Sequence, residues 1–310
     1  MPDSELFLGI DTSNYTTSAA IVDSSENVIA DSRRLLEVRK GEKGLRQSDA
    51  LFQHWRNLPD ILDPLLKQYG PKLRCVCSGA RPRPQEGSYM PVFTAGTGTG
   101  KIIAASLNTK YCEISHQEGH LLAAAYGNDI STDEDLILAH LSGGTLEFVK
   151  VSNGKHEIIF ATKDISYGQL IDRIGVYLGL PFPAGKYVDE MALKGRDKGL
   201  KNAIPRIFTD ETGMNISGLE NSLKNAEKQY DRETLCSFLM ERISENFVKC
   251  AESLKEKHHI RNVLICGGVA SSEYIRDYCL GRGYIFGQKK LCSDNAAGEA
   301  IAACRYYYGR

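Results

Sequence analysis

No run of apolar residues in this sequence approaches the length of a membrane span, and the opening MPDSELFLGIDTS has neither the basic nor the apolar stretch of a secretory leader. These absences set the expectation of a cytoplasmic chain with no membrane partner. An excess of one charge is also missing. The 38 Lys and Arg against 39 Asp and Glu leave a formal net charge of -1, so any contact with nucleic acid must be local. An odd cysteine count, nine, argues against a full disulfide framework, and most lie in apolar runs such as VLICGG and AIAACRYYY that read as buried free thiols. Cys75 and Cys77 read as neighbours on one face of a strand, a metal pair being the lesser alternative. No Ser-His or Cys-His nucleophile set is evident. No low-complexity linker interrupts the 310 residues, so two ordinary domains that share a cleft are expected.

Three segments carry most of the organisation. LFLGIDTSNYTTSAAIVD is an apolar run into Asp11-Thr12-Ser13-Asn14, followed by a second strand and a third near NVIADSRRL. LILAHLSGGTLEFVKVSNGKHEIIFAT repeats that unit about 130 residues later, with Ser142, Gly143, Gly144 and Thr145 as its turn. Backbone amides of either turn could cradle a phosphate. The third segment, NVLICGGVASSEYIRDYC, is a buried strand that ends in Gly267-Gly268 and leads into a helix, a common way to place a nucleotide at a helix N-terminus. Helical periodicity fills the intervals, in QSDALFQHWRNLPDILDPLLKQY, KIIAASLN, GQLIDRIGVYLG and ETLCSFLMERISENFVKCAESLKEKHH. The basic stretch from Lys194 to Arg206 reads as a solvated loop before it reads as a nucleic-acid patch. AGTGTGKI, residues 95–102, lacks the spacing and the Ser or Thr of a P-loop, and that reading is rejected.

HQEGHLLAAAYG, residues 116–127, puts His116 and His120 four apart in a helical stretch. In the metalloprotease pattern the glutamate directly follows the first histidine; here it is one place later, and at about 100° per residue Glu118 lies roughly 200° round the helix from His116. Protease chemistry is therefore disfavoured. The pair alone leaves a metal site and a structural role equally open until a third ligand is found.

The order of these motifs is that of the actin, sugar kinase and Hsp70 superfamily (ASKHA). Within it the sequence resembles the TsaD/Gcp family, the threonylcarbamoyltransferases of tRNA t6A synthesis. HQEGH resembles the family's His-x-Glu-Gly-His metal pair, and CSDNAAGEAIAA is similar to its Cys-Thr-Asp-Asn-Ala-Ala element, which makes Asp294 the implied third ligand. GIDTS matches the first turn, with Asp11, Thr12 and Ser13. YGQLIDRIGVYLGL keeps Gly168 and Asp172, the latter implied to contact ribose, and LPFPAGKYVDEMA keeps Gly185. GGVASSEYIR resembles Gly-Gly-Val-Ala-x-Asn, with Ser272 in place of asparagine. The resemblance implies an α/β ASKHA fold of two similar lobes around a nucleotide cleft, the first over residues 1–127 with a return at about 290–310, the second over 128–289. It also implies one divalent metal, iron or zinc, an adenine nucleotide or acyl-adenylate, and tRNA as partner, alongside other proteins of a t6A-type complex or a second copy.

Two departures mark the chain as divergent. The family's Ser-Gly-Gly-His-Thr is Ser-Gly-Gly-Thr-Leu here, and its Gly-Pro-Gly-Leu loop is replaced by SGARPRPQEGSYMPVF. The latter introduces Arg81 and Arg83, whose planar forks suit an anionic part of a substrate. The expected chemistry is metal-dependent transfer of a carbamoyl-type group from an acyl-adenylate to an acceptor, by resemblance tRNA adenosine. The alternatives are the same transfer to a small molecule or protein, and a non-catalytic nucleotide-binding scaffold.

Overall fold

The computed structural model describes residues 5–13, 15–38, 45–196, 204–211 and 213–310. Asn14 and residues 197–203 of the basic stretch lie outside these. The chain divides into two compact units, one formed by Met1–Tyr126 with Asp294–Arg310 and the other by Gly127–Ser293. Among the described residues, no helix is long and apolar enough to cross a membrane.

Unit 1 opens with β1 (Leu6–Thr12), β2 (Thr16–Asp23) and β3 (Val28–Leu35), an antiparallel meander. Helix α1 (Gln47–Tyr69) follows, burying Ala50, His54, Leu58, Ile61, Leu62 and Leu65 at three- and four-residue spacing, the stripe of a helix lying on a sheet. Then come β4 (Leu73–Arg81), α2 (Phe93–Leu107), β5 (Lys110–Ser115) and α3 (His116–Ala125). The sheet order is β3-β2-β1-β4-β5, with β4 parallel to both β1 and β5. AGTGTG lies inside α2 rather than in a phosphate loop. Cys75 and Cys77 are buried on β4, and all nine cysteines are free thiols.

Unit 2 repeats the arrangement. Strands β6 (Leu136–Leu141), β7 (Leu146–Ser152) and β8 (Lys155–Thr162) form a second antiparallel meander, followed by α4 (Tyr167–Tyr177) and α5 (Gly185–Gly195). The short strands β9 (Phe208–Thr209) and β10 (Gly213–Asn215) extend one edge beyond β8. Next come α6 (Ser217–Ala226) and the long α7 (Arg232–His258), whose buried Leu235, Leu239, Ile243, Phe247 and Leu254 join the core of this unit. Strand β11 (Asn262–Cys266) is parallel to β6, and α8 (Glu273–Cys279), β12 (Ile285–Phe286) and α9 (Lys289–Cys292) complete the unit. An antiparallel meander followed by two parallel strands is thus built twice, β3-β2-β1-β4-β5 and β8-β7-β6-β11-β12. This is the duplication expected from the two hairpins.

The chain then returns to unit 1 as α10 (Ala297–Tyr308), which packs on β1 and α3. Helices α3 and α10 meet backbone to backbone. A Cβ at Gly298 would lie 1.9 Å from the main-chain oxygen of Gly119, so only glycine fits there, and one at Gly119 would lie 2.2 Å from Glu299 Oε1 and displace that carboxylate.

Candidate functional site

Helix α3 begins at His116 because Ser115 caps it. The Ser115 hydroxyl accepts the Glu118 N–H (3.2 Å), and the Glu118 carboxylate accepts the Ser115 N–H (2.7 Å). Glu118 therefore starts the helix, while His116 and His120 share another face with ring centroids 4.4 Å apart. Asp294, the first residue of the return, brings Oδ1 to 3.4 Å from His120 Nε2 and 3.7 Å from His116 Nε2. Ligand atoms of all three lie within 4.8 Å of one another. Two imidazoles and one carboxylate at that separation fit a divalent iron or zinc ion with coordination positions to spare.

Asp11 is fully buried, and its Oδ2 lies 3.2 Å from His116 Nδ1 while accepting the Ser13 N–H at the same distance. A carboxylate behind a ligating imidazole fixes the ring's tautomer and orientation. Burial depresses the His116 pKa, but the Asp11 carboxylate, with Asp294 adding, overcomes that and pushes it up to about 9. For His120, burial and then the neighbouring His116 lower the pKa, favouring the neutral ring that a metal needs.

The rest of the first turn also faces the interior of unit 1. The Thr12 hydroxyl donates to Val92 O (2.9 Å) and accepts the Gly96 N–H (3.1 Å), joining β1 to the start of α2. The Ser13 hydroxyl donates to Asp294 Oδ2 (3.1 Å). The side chains of Asp11, Thr12 and Ser13, the turn read as a phosphate cradle through its backbone amides, are engaged with His116, α2 and Asp294. Arg81 ends β4 and Arg83 follows in the loop, both half-buried. Their loop is tied to the first turn of α3 by the Gln117 N–H, which donates to Pro82 O (3.1 Å), and it is braced by the Arg83 N–H on the Ser88 hydroxyl (3.0 Å).

Two residues of this region escaped the sequence reading. Buried His54 spans from Thr17 Oγ1 (2.9 Å at Nδ1) to Ser13 O (2.7 Å at Nε2), and since a carbonyl only accepts, the proton sits on Nε2. Its place on the apolar stripe of α1 was the available signal. Glu299 is fully buried in α10, where burial and then Asp11 push its pKa well above the usual carboxylate range. A charged residue within the run AAGEAIAA was the signal there.

In unit 2 the turn from Ser142 to Thr145 is closed by the Ser142 N–H on Thr145 O (2.8 Å), and the Ser142 hydroxyl accepts the N–H groups of Thr145 (2.9 Å) and Gly144 (3.4 Å). The space beside Gly143 and Gly144 is open. Gly168, near the start of α4, lies directly under this turn, where a Cβ would come within 2.6 Å of Ser142 O. Gly267 closes β11 at φ +92°, a left-handed conformation, and backs onto Leu141, the last residue of β6. The short 3₁₀ turn Gly268–Ser271 touches both β6 and α4, so the turns read as phosphate- and adenosine-binding are neighbours. Gly268 and Gly185 face open space. Asp172 accepts the Ala184 N–H (2.7 Å); burial raises its pKa against the pull of the Ala184 and Gly185 amides. Ser272 caps α8 by accepting the Ile275 N–H (3.1 Å), and it donates to Asp189 (2.5 Å). Its hydroxyl is thus engaged within the fold, in the place where the resemblance implies a nucleotide contact.

The family model for tRNA N6-adenosine threonylcarbamoyltransferase matches residues 34–301. The tRNA N6-adenosine threonylcarbamoyltransferase of Thermotoga neapolitana is 30% identical, over 95% of this chain and 92% of its own. Among solved structures, full-length HypF in a phosphate- and nucleotide-bound form matches with a TM-score of 0.62 at 11% identity, over 97% of this chain and 56% of its own. The activator of the 2-hydroxyisocaproyl-CoA dehydratase from Clostridium difficile gives 0.56 at 14% identity, over 98% and 96%. At such identities the structural likeness concerns the fold alone, which is of the actin, sugar kinase and Hsp70 type.

Proposed function

The chain belongs to the tRNA N6-adenosine threonylcarbamoyltransferase family, a family of transferases, and from that premise we propose that it transfers a threonylcarbamoyl-type group from an acyl-adenylate to the N6 amine of a tRNA adenosine. The amine nitrogen attacks the carbonyl carbon joined to the adenylate phosphate. A C–N bond forms, the C–O bond to phosphate breaks, the amine loses a proton and AMP leaves. The observation that carries this reading is the convergence of His116, His120 and Asp294 from segments far apart in sequence.

A divalent cation held there would polarise the acyl or phosphate oxygens as a Lewis acid and stabilise the negative charge that develops on them. The chain's own residues hold the geometry. Asp11 fixes the His116 ring, Ser13 orients Asp294, and His54 anchors the Ser13 carbonyl. In unit 2 the open space beside Gly143, Gly144 and Gly268 would take the AMP portion, with Asp172 and Gly185 toward ribose and Ser272 beside them. Arg81 and Arg83, carried next to the first turn of α3, would grip the carboxylate of the transferred group or a phosphate of the acceptor. With positioning and charge stabilisation carrying the rate, no covalent enzyme intermediate is needed.

The test is His120→Ala, assayed for bound iron and zinc and for transfer from a synthetic threonylcarbamoyl-adenylate to a tRNA transcript. Loss of bound metal with a rate loss of about a hundredfold or more is expected. A variant that keeps a full equivalent of metal would refute the site. Transfer to free amino compounds but not to tRNA, in the wild type, would favour the small-molecule acceptor that the replaced Arg81–Arg83 loop leaves as the second reading.

A further inference from the structure

Three carboxylate oxygens inside unit 1 have no hydrogen-bond partner among the described residues: Asp11 Oδ1 and both oxygens of Glu299. Both side chains are fully buried. Stripping water from an ionised carboxylate without pairing it is among the most unfavourable arrangements in a protein interior, so orphaned oxygens of this kind call for a compensating charge. His116 pairs with Asp11 through Oδ2, which leaves these three oxygens unmatched. The charged side chains that bear on Glu299 are Asp11, Asp294 and Glu118, all acidic, and the Arg33 guanidinium is engaged by Asp31 and by the main-chain oxygen of Asp294.

We propose that Asp11 and Glu299 bind a second divalent cation, on the Nδ1 side of His116 and separate from the position faced by His116 Nε2, His120 and Asp294. Ligand atoms of Asp11 and Glu299 lie within 4.8 Å of each other, as they must to share an ion, with His116 in the same cluster as the donor to Asp11. The two carboxylates face the same point on β4: a Cβ built at Gly79 would lie 2.3 Å from Asp11 Oδ1 and 3.3 Å from Glu299 Oε1. The Glu299 carboxylate lies against Gly119, and the helix bearing it meets α3 at Gly298.

Asp11 would divide its oxygens, Oδ2 accepting from His116 and Oδ1 joining Glu299 on the ion. A donor set that is all carboxylate selects a harder cation, Mn2+ or Mg2+, than the two-imidazole set across the ring. His116 would then stand between two ions and ligate only one. The inference rests on the proposed transferase centre only in sharing His116 with it, and the two can fail separately.

The probe is Mn2+ titrated into the full chain after chelator treatment, with bound equivalents counted by elemental analysis after desalting. Wild type is expected to hold two, Glu299→Gln one, and His120→Ala one. Glutamine is isosteric with a protonated glutamic acid, so if Glu299 merely carries a proton the substitution leaves the count unchanged, which overturns the proposal. A wild type that saturates at one equivalent, kept in Glu299→Gln and lost in His120→Ala, overturns it as well. Two equivalents in His120→Ala with one in Glu299→Gln would support the second position and refute the first.

Discussion

His116 and His120 lie one helical turn apart, and their surroundings pull their protons in opposite directions. Asp11 on β1 and Asp294 at the return favour the charged ring of His116, raising its pKa to about 9, whereas His120 is lowered by burial and by His116. A cation must therefore displace one proton, from His116. Below about pH 9 that proton competes with the ion, and above it the competition ends. Apparent Zn2+ affinity is expected to rise about tenfold per pH unit between pH 6 and 8 and to level off near 9, as read by competition with a chromophoric chelator at fixed ionic strength. Asp11→Asn removes the larger charge holding that proton, so the rise should end at lower pH; an unchanged profile would remove Asp11 from the role. The histidine pair was legible from its spacing, whereas Asp294 was marked only by the resemblance. Glu299 was not, since a glutamate in an alanine-rich helix ordinarily faces water, and only the packing of α10 between β1 and α3 buries it. Asp11 was legible as a turn residue, but its direction was not, because β1 turns it inward toward a helix more than a hundred residues later in the chain.

At the scale of elements, glycine decides how closely helices approach the site. Gly298→Ala would force a methyl group into the main-chain oxygen of Gly119, separating α3 from α10 at a cost of about 3 kcal/mol, and urea unfolding should show it. Bound metal should fall in the same variant, because Asp294 and the histidines sit on opposite sides of that contact. Helix α6 offers a prediction away from the site. The Asp164 carboxylate accepts the N–H groups of Ile165 (2.7 Å), Ile216 (2.9 Å) and Ser217 (2.9 Å). Burial works to raise its pKa, but these donors pull it down to about 2. A depressed carboxylate stabilises the fold above its unfolded pKa of 3.8 and loses that contribution as pH falls toward 2. Since Asp164 is exposed, solvent screening trims the effect to about 1 kcal/mol. Asp164→Asn should be less stable than wild type by that amount at pH 7, with the gap closing between pH 4 and 2 in denaturant titrations. The meanders and the long helices were legible because periodicity states them locally. Helix α2 was only half legible: KIIAASLN reads as helix, but AGTGTG does not, as glycine and threonine are poor helix formers. Gly96 and Gly100 are tolerated there because the helix lies tight against Thr12, Ser78 and Tyr111.

At the scale of the whole molecule, each unit has its own apolar core, and every residue proposed to hold a cation belongs to unit 1. Phe247 in α7 is fully buried and stacks on Phe148 with centroids 5.9 Å apart, so Phe247→Ala should cost about 3–5 kcal/mol. Under native conditions it should leave the number of bound cations unchanged. A parallel loss of cation would show that the centre depends on the core of unit 2. Unit 1 is discontinuous, because Asp294 and Glu299 enter it only after the whole of Gly127–Ser293 has passed. This order has a consequence during synthesis. The nascent chain displays β1 and both histidines of α3 before the carboxylates that complete them exist, and at about 5–20 residues per second the interval is on the order of ten seconds or more. For that time the histidines stand without Asp294 and Glu299, while the face of β1 destined for α10 is uncovered. Cation capture thereby becomes a late event, reporting that translation has run past unit 2 and that α10 has docked.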